Sequence, residues 1–421
     1  MVTRRAFLRN SGVAMFGIGS SPVWLERAMA ATTGSGGKKI LVAIFQRGAA
    51  DGLNIVVPHA EKAYYAGRPG IAIPQPGRSE AATIELDGFF GLNPNLKALK
   101  PIFDEKKLAM VHACGSPDPT RSHFDAQDYM ESGTPGLKAT RDGWLNRTLS
   151  KEVEESPIRA VSMGPVLART LRGGNPAVAL NSVKDFQVRD KMAGDDYMSR
   201  YAASLDTQMK GTGKDTFEAI RLLETLRKVE YKAGNGAVYP NGHLGRSLKQ
   251  IAQMIKADAG LEVAFADLGG WDHHVNEVGA TALIGPLANL LREFGDSLAA
   301  FYRDLGARME DVVLVSMSEF GRTARENGNR GTDHGHANVM FTMGGQIAGG
   351  KVYGRWPGLE REQLYEGRDL DVTTDFREVL GEVVAQHLGQ KELARVFPGF
   401  NSKAPPGLFG ASAATTAQKT L

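Results

Sequence analysis

Residues Val312–Ala337 read VVLVSMSEFGRTARENGNRGTDHGHA, and their pattern decides the fold class. Val312–Met317 is an apolar run broken only by Ser316, the signature of a strand buried on both faces. It stops at a polar loop, Ser318-Glu319-Phe320-Gly321-Arg322-Thr323. Open α/β sheets keep their chemistry at such strand ends. Further on stands Asp333-His334-Gly335-His336. Imidazoles at i and i+2 share a face if the chain is extended there, as two ligands of one ion require.

The same design recurs outward from this stretch. Lys39–Phe45 (KILVAIF) reads as a first buried strand, followed by Gln46-Arg47-Gly48-Ala49-Ala50-Asp51-Gly52-Leu53-Asn54. Asp51 is then either a ligand at the strand's carboxyl end or part of an Asp-Gly turn, with Ile55–Val57 as the returning strand. Leu108–His112 predicts a second strand, emptying into the loop that carries Arg121, Ser122 and His123. Ser122 suits the N-cap of a helix with Asp125 three residues on, and a hydroxyl placed there is either a cap or a nucleophile. Leu261–Leu268 predicts a third strand, ending in Gly-Gly-Trp271-Asp272-His273-His274-Val-Asn-Glu277. Asp272 with His274, or Asp267 with His273, supplies a carboxylate and an imidazole for one ion.

Helical periodicity is expected after Asn93-Pro94, over Arg141–Glu155, His243–Lys256 and Leu283–Leu305, and from Asp375 to Leu388, with further strands at Pro157–Met163 and Val339–Met343. The alternation predicts an α/β fold with a mostly parallel central sheet and helices on both faces. Residues 58–91 read as irregular, about 185–236 as a charged helical insertion, and 401–421 as a disordered tail.

The chain has 421 residues, 42% of them hydrophobic, enough for one large core. Its formal charge of +3 is matched by the net charge of residues 1–30, so the remainder is neutral. That excludes the basic excess of a nucleic-acid binder. Cys114 is the only cysteine, so no internal disulfide forms.

The N-terminus carries Thr3-Arg4-Arg5-Ala6-Phe7-Leu8-Arg9, a weakly apolar segment Val13–Leu25, and Ala28-Met29-Ala30. This resembles a twin-arginine export signal with a peptidase site, the alternative being a basic amphipathic helix. It predicts a chain beginning at Ala31 in the periplasm or outside the cell, after passage through the twin-arginine machinery. The apolar segment is too short and interrupted to span a membrane stably.

Taken together, the loops GAADGLN, RSHFDAQ, GGWDHHVNE, SEFGRT and GTDHGHA behind such a leader resemble domain-of-unknown-function family 1501, over Lys39–Phe400. That family is similar to the alkaline phosphatase and sulfatase superfamily. The resemblance implies an alkaline phosphatase-like fold and hydrolysis of small anionic phosphate or sulfate esters with one or two divalent metals, Zn, Ca or Mg. It implies metal roles for Asp51, Asp272, His274, Glu319 and His334 or His336. Ser122, or else Thr120 or Ser116, takes the place of the nucleophile, and Arg121, Arg322 or Arg47 stabilises the developing anion. The superfamily's Ser-Asp-His-Gly stands here as Ser318-Glu319-Phe320-Gly321. Phe320 replaces an imidazole ligand, and His123 is the substitute that another loop offers. Cys114-Gly-Ser-Pro-Asp does not match the pattern of a formylglycine sulfatase. Two alternatives stand beside the hydrolase: a secreted binding or assembly protein that keeps the fold, and a carbohydrate hydrolase using Asp51 and Glu319 as paired carboxylates.

Overall fold

The structure, a computed structural model, describes residues 38–410 apart from 150–155, 157, 184–218, 220–221 and 229. The expected leader and most of the expected insertion lie outside the described residues. Nine described strands form the main sheet. They are β1 (Ile40–Arg47), β2 (Leu108–Gly115), β3 (Ala160–Met163), β4 (Val178–Leu180), β5 (Val263–Gly269), β6 (Val312–Met317), β7 (Asn338–Gly344), β8 (Lys351–Tyr353) and β9 (Thr374–Asp375).

Their order is β8-β2-β7-β6-β1-β5-β3-β4, with β9 also on β2. β1 runs centrally and parallel to both neighbours, Val42 lying opposite Ala264 on one side and Leu314 on the other. Every residue of β6 is buried, Ser316 included, as a run that is apolar on both faces requires. Among the described strands of the main sheet only β7 runs antiparallel to its neighbours, β2 and β6. The residues between Met317 and Asn338 form no crossover helix, and without one a chain returns antiparallel.

Helices cover both faces. Leu41, Ala43 and Phe45 of β1, Phe265 of β5 and Val315 of β6 share one core with Phe376, Val379, Leu380 and Val383. The last four belong to α4 (Phe376–Gln386). The alternate residues Val42, Ile44, Ala264 and Leu314 are buried as well. On their side Phe341 of β7 meets Phe294 at 5.4 Å between ring centres. Phe294 lies on α3 (Pro286–Leu305), which follows α2 (His243–Lys256) in the chain. A further helix, α1 (His123–Ser132), leaves the loop after β2. No helix among the described residues is long and apolar enough to cross a membrane.

Three local expectations change. Asp51-Gly52 closes no hairpin on β1: Gly52–Ile55 is a helical turn, and Val56–Val57 pairs with Gly91–Leu92 in a small separate sheet. Of the helix expected over Arg141–Glu155, the described residues form Trp144–Thr148. Residues 401–410 are docked rather than loose, because Leu408 is buried in the core of α4 and the amides of Gly407 and Phe409 bond the Glu382 carboxylate.

Candidate metal centre

The carboxyl ends of β1, β2, β5 and β6 share one edge of the sheet with the amino end of the antiparallel β7. The loops after β2 and β5 and the loop that joins β6 to β7 meet there. After β5 the chain turns at Gly270 (φ 96°), and the buried Trp271 donates its indole N–H to Leu268 O at 2.9 Å. Asp272 and His274 follow at once. After β2, Ser122 occupies the N-cap position of α1 and His123 is its first residue. His334 comes in from the segment before β7.

The ligating atoms of His123, Asp272 and His334 lie within 4.8 Å of one another, and Nε2 of His274 stands beside those of His334 and Asp272. Nε2 of His334 lies 3.0 Å from Nε2 of His123, 3.1 Å from Nε2 of His274 and 3.2 Å from Oδ1 of Asp272. Asp272 Oδ1 is 3.0 Å from His274 Nε2 and 3.6 Å from His123 Nε2. A tetrahedral ion with bonds of about 2.0–2.1 Å holds its ligands about 3.3 Å apart. The spacings among His123, Asp272 and His334 bracket that value.

The far side of each ring decides what the near side presents. Nδ1 of His123 bonds Glu319 Oε1 at 2.8 Å, Nδ1 of His274 bonds Asp333 Oδ1 at 3.1 Å, and Nδ1 of His334 bonds the Arg121 carbonyl at 2.9 Å. Carboxylates and carbonyls only accept, so each Nδ1 carries a proton and Nε2 is the nitrogen that each ring turns inward. The inward atoms around His334 and Asp272 stand 3.0–3.6 Å apart. A single divalent cation would offset that crowding for His123, Asp272 and His334 together. This donor set, with an acceptor behind every imidazole, fits a metal ion.

The charges agree with that arrangement. The hydrogen bond to Glu319 raises the His123 pKa against the opposing effect of burial, while burial lowers that of His334. Burial pushes the Asp272 carboxyl up, but the hydrogen bond and charge of Arg322 outweigh it and hold the group below the ordinary range. Phe320 forms an apolar wall beside the site, its ring centre 5.0 Å from those of both His123 and His334.

Among the residues expected from the sequence, Asp272, His274 and His334 meet here. Asp51 does not: it is buried and both of its oxygens are bound by Arg68, in a polar layer with Tyr64, Asn54 and Glu277. His336 also goes elsewhere, with Nε2 on the Ser116 carbonyl at 3.0 Å and its ring on Tyr365. Different carbonyl partners, rather than ideal strand alternation, set the directions of the 334 and 336 rings. Glu319 stands behind His123 instead of among the converging atoms, and Asp267 pairs with Arg47. His273 is mostly buried, and burial lowers its pKa to about 4.

The arginines are engaged too. The Arg322 guanidinium is buried and donates to the carbonyls of Gly48, Ala49, Trp271 and Thr332 and, at 2.6 Å, to Asp272 Oδ1. It fixes the Asp272 carboxylate in place. Arg121 donates to Asp369 and Glu366, and Arg47 to Glu131 and Asp267. Ser122 is exposed and its hydroxyl makes no capping bond. Cys114 is buried, and burial pushes its thiol pKa well up. Sequence reasoning gave His123 only as a stand-in for Phe320 and missed Asp333, whose signal was a carboxylate directly beside His334.

Residues 38–396 match the family described as protein of unknown function (DUF1501). The chain belongs to that family. No curated protein sequence matches it. Solved structures similar to it include the lipoteichoic acid synthase LtaP from Listeria monocytogenes, at TM-score 0.36 and 9% identity over 89% of this chain and 74% of that one. Another is a protein in the alkaline phosphatase superfamily from Vibrio parahaemolyticus, at TM-score 0.35 and 10% identity over 76% of this chain and 64% of that one. A third is the PsFucS1 sulfatase from Pseudoalteromonas sp., at TM-score 0.34 and 14% identity over 79% of this chain and 68% of that one.

Proposed function

We propose that this chain is a metal-dependent hydrolase of phosphate or sulfate esters that works outside the cytoplasm after twin-arginine export. The observation that carries the reading is the convergence of His123, Asp272 and His334, with His274 beside the last two and each imidazole backed by an acceptor on Nδ1. Three imidazole nitrogens favour Zn over Ca or Mg, which prefer all-oxygen sites. A divalent cation held there supplies Lewis-acid polarisation of an ester oxygen. The chain's own groups do the rest. Glu319 and Asp333 orient His123 and His274, and Arg322 keeps Asp272 charged and aimed. Ser122 is the candidate nucleophile: its hydroxyl makes no capping bond, it neighbours His123, and the amino end of α1 favours the anion it must become.

A secreted binding or assembly role is the second reading. One observation favours it: the guanidinium groups of Arg47, Arg121 and Arg322 are bonded to carboxylates or carbonyls, where a substrate oxyanion would need a cation. The deciding experiment assays the zinc-loaded chain on aryl phosphate monoesters, diesters and sulfates beside an Asp272→Ala, His334→Ala double variant. Turnover that disappears with the two ligands supports the hydrolase. Bound zinc without turnover on any of these esters refutes it and leaves the binding reading.

A further inference from the structure

Gln127 lies one turn beyond His123 on α1, so the two side chains leave the helix on the same side. Its amide is held between two groups with opposite demands, since a guanidinium only donates and a carboxylate only accepts. Arg47 Nη1 donates to Gln127 Oε1 at 3.1 Å, and Gln127 Nε2 donates to Glu319 Oε1 at 2.8 Å. That same oxygen accepts from His123 Nδ1 at 2.8 Å and from the Gly48 amide at 2.9 Å. Arg47 is itself fixed by Asp267 at 2.6 Å and Glu131 at 2.9 Å, with its guanidinium 4.5 Å from the centre of the Phe45 ring. One line of hydrogen bonds therefore runs from the end of β1, through Arg47, Gln127 and Glu319, to the imidazole of His123.

We propose that Gln127 is a positioning residue of the metal centre, which locks Glu319 and through it the ligating tautomer of His123. The inference rests on the metal-centre reading above. Three donors on Glu319 Oε1 allow that oxygen one position, in line with the Nδ1–H of His123. With Gln127 gone, the carboxylate swings about its remaining partners, and His123 can place its proton on Nε2, where it blocks a metal. Arg47 would then act at one remove, by turning the Gln127 amide so that its N–H, not its oxygen, meets Glu319.

The test is zinc(II) titration of the purified full chain against a chromophoric chelator, for wild type, Gln127→Leu and Gln127→Glu. Thermal melts and nitrogen-15 shifts of the imidazoles in zinc-free protein at alkaline pH accompany it. Gln127→Leu is expected to weaken zinc binding about 10- to 100-fold, the usual effect of losing an outer-shell partner. Gln127→Glu is expected to weaken it more, because a second carboxylate then faces Glu319. Both should turn His123 from the Nδ1–H form to a tautomer mixture. Wild-type zinc affinity and an unchanged His123 tautomer in both variants overturn the inference, whatever happens to the melting temperature. If wild type binds no zinc, the metal-centre reading fails by itself, and the His123 nitrogen shifts decide between a positioning and a purely packing role for Gln127.

Discussion

The Nε2 atoms of His123 and His334 stand 3.0 Å apart while the Nδ1 atoms of the same rings are bonded to Glu319 and to the Arg121 carbonyl. Two neutral imidazoles so held point lone pairs at each other. The arrangement is stable only with a cation or a proton between them.

The purified chain should therefore carry close to one zinc, measured by plasma mass spectrometry, and the Asp272→Ala, His334→Ala double variant should carry none. Zinc at 100 times its dissociation constant stabilises the fold by about 2.7 kcal/mol, so a chelator should lower the melting temperature of wild type and leave the variant where it was. Equal zinc in both proteins would remove these residues from the site.

Arg322 is expected to be the most costly single arginine to lose. Its side chain is fully buried and serves four carbonyls as well as Asp272. Arg322→Met leaves those buried carbonyls without a donor and should destabilise the chain by about 3–5 kcal/mol in urea unfolding, since each buried acceptor left unpaired costs about 1–3 kcal/mol. A loss below about 1 kcal/mol would mean that water reaches the carbonyls.

A pH effect should come from Glu277. Burial, and then the neighbouring Asp51 carboxylate, raise its pKa well above the ordinary carboxyl range, whereas Asp51 is held ionised by the two N–H groups of Arg68 despite its burial. A raised folded pKa gives stability that is complete below the unfolded value of about 4.3 and is lost as pH rises towards the folded one. Wild type should thus lose about 1.4 kcal/mol per pH unit through that window, on account of this group alone. Glu277→Gln copies the neutral acid and cannot ionise, so the variant should be the more stable protein at neutral pH and match wild type near pH 4. Parallel stability curves for the two proteins would show that Glu277 is ionised in the fold.

The C-terminal segment should contribute measurably. Leu408 is fully buried against the core of α4. Leu408→Ala is expected to cost about 2–5 kcal/mol, as for other large-to-small core changes, in chemical denaturation. No change would return residues 401–410 to the loose tail that their composition suggests.

Much of the architecture was readable because it depends on periodicity. The run Val312–Met317 is β6 to the residue, and His243–Lys256 is α2 to the residue. Apolar side chains at a fixed spacing leave a strand or helix little choice about which faces it buries. The antiparallel direction of β7 was not readable, since it depends on the residues before it forming no helix. The docking of Leu408 was equally hidden: an isolated leucine among Ala, Pro and Gly carries no period.

The site divides along the same line. Local sequence determined which loops bear chemistry, because Asp272, His274, His334 and Glu319 each sit beside the end of an apolar strand. It did not determine which of these groups meet. Asp51 looks like a ligand in sequence, but Arg68, 17 residues away, takes both of its oxygens. Glu319 and Arg322 read as ligand and anion holder, but each reaches across the sheet, Glu319 to His123 and Arg322 to Asp272. A side chain's type says what it can bond, and that much is in the sequence. Which partner it bonds is a matter of a few ångströms between loops 50 to 200 residues apart, and only the packing of the sheet brings those loops to one edge.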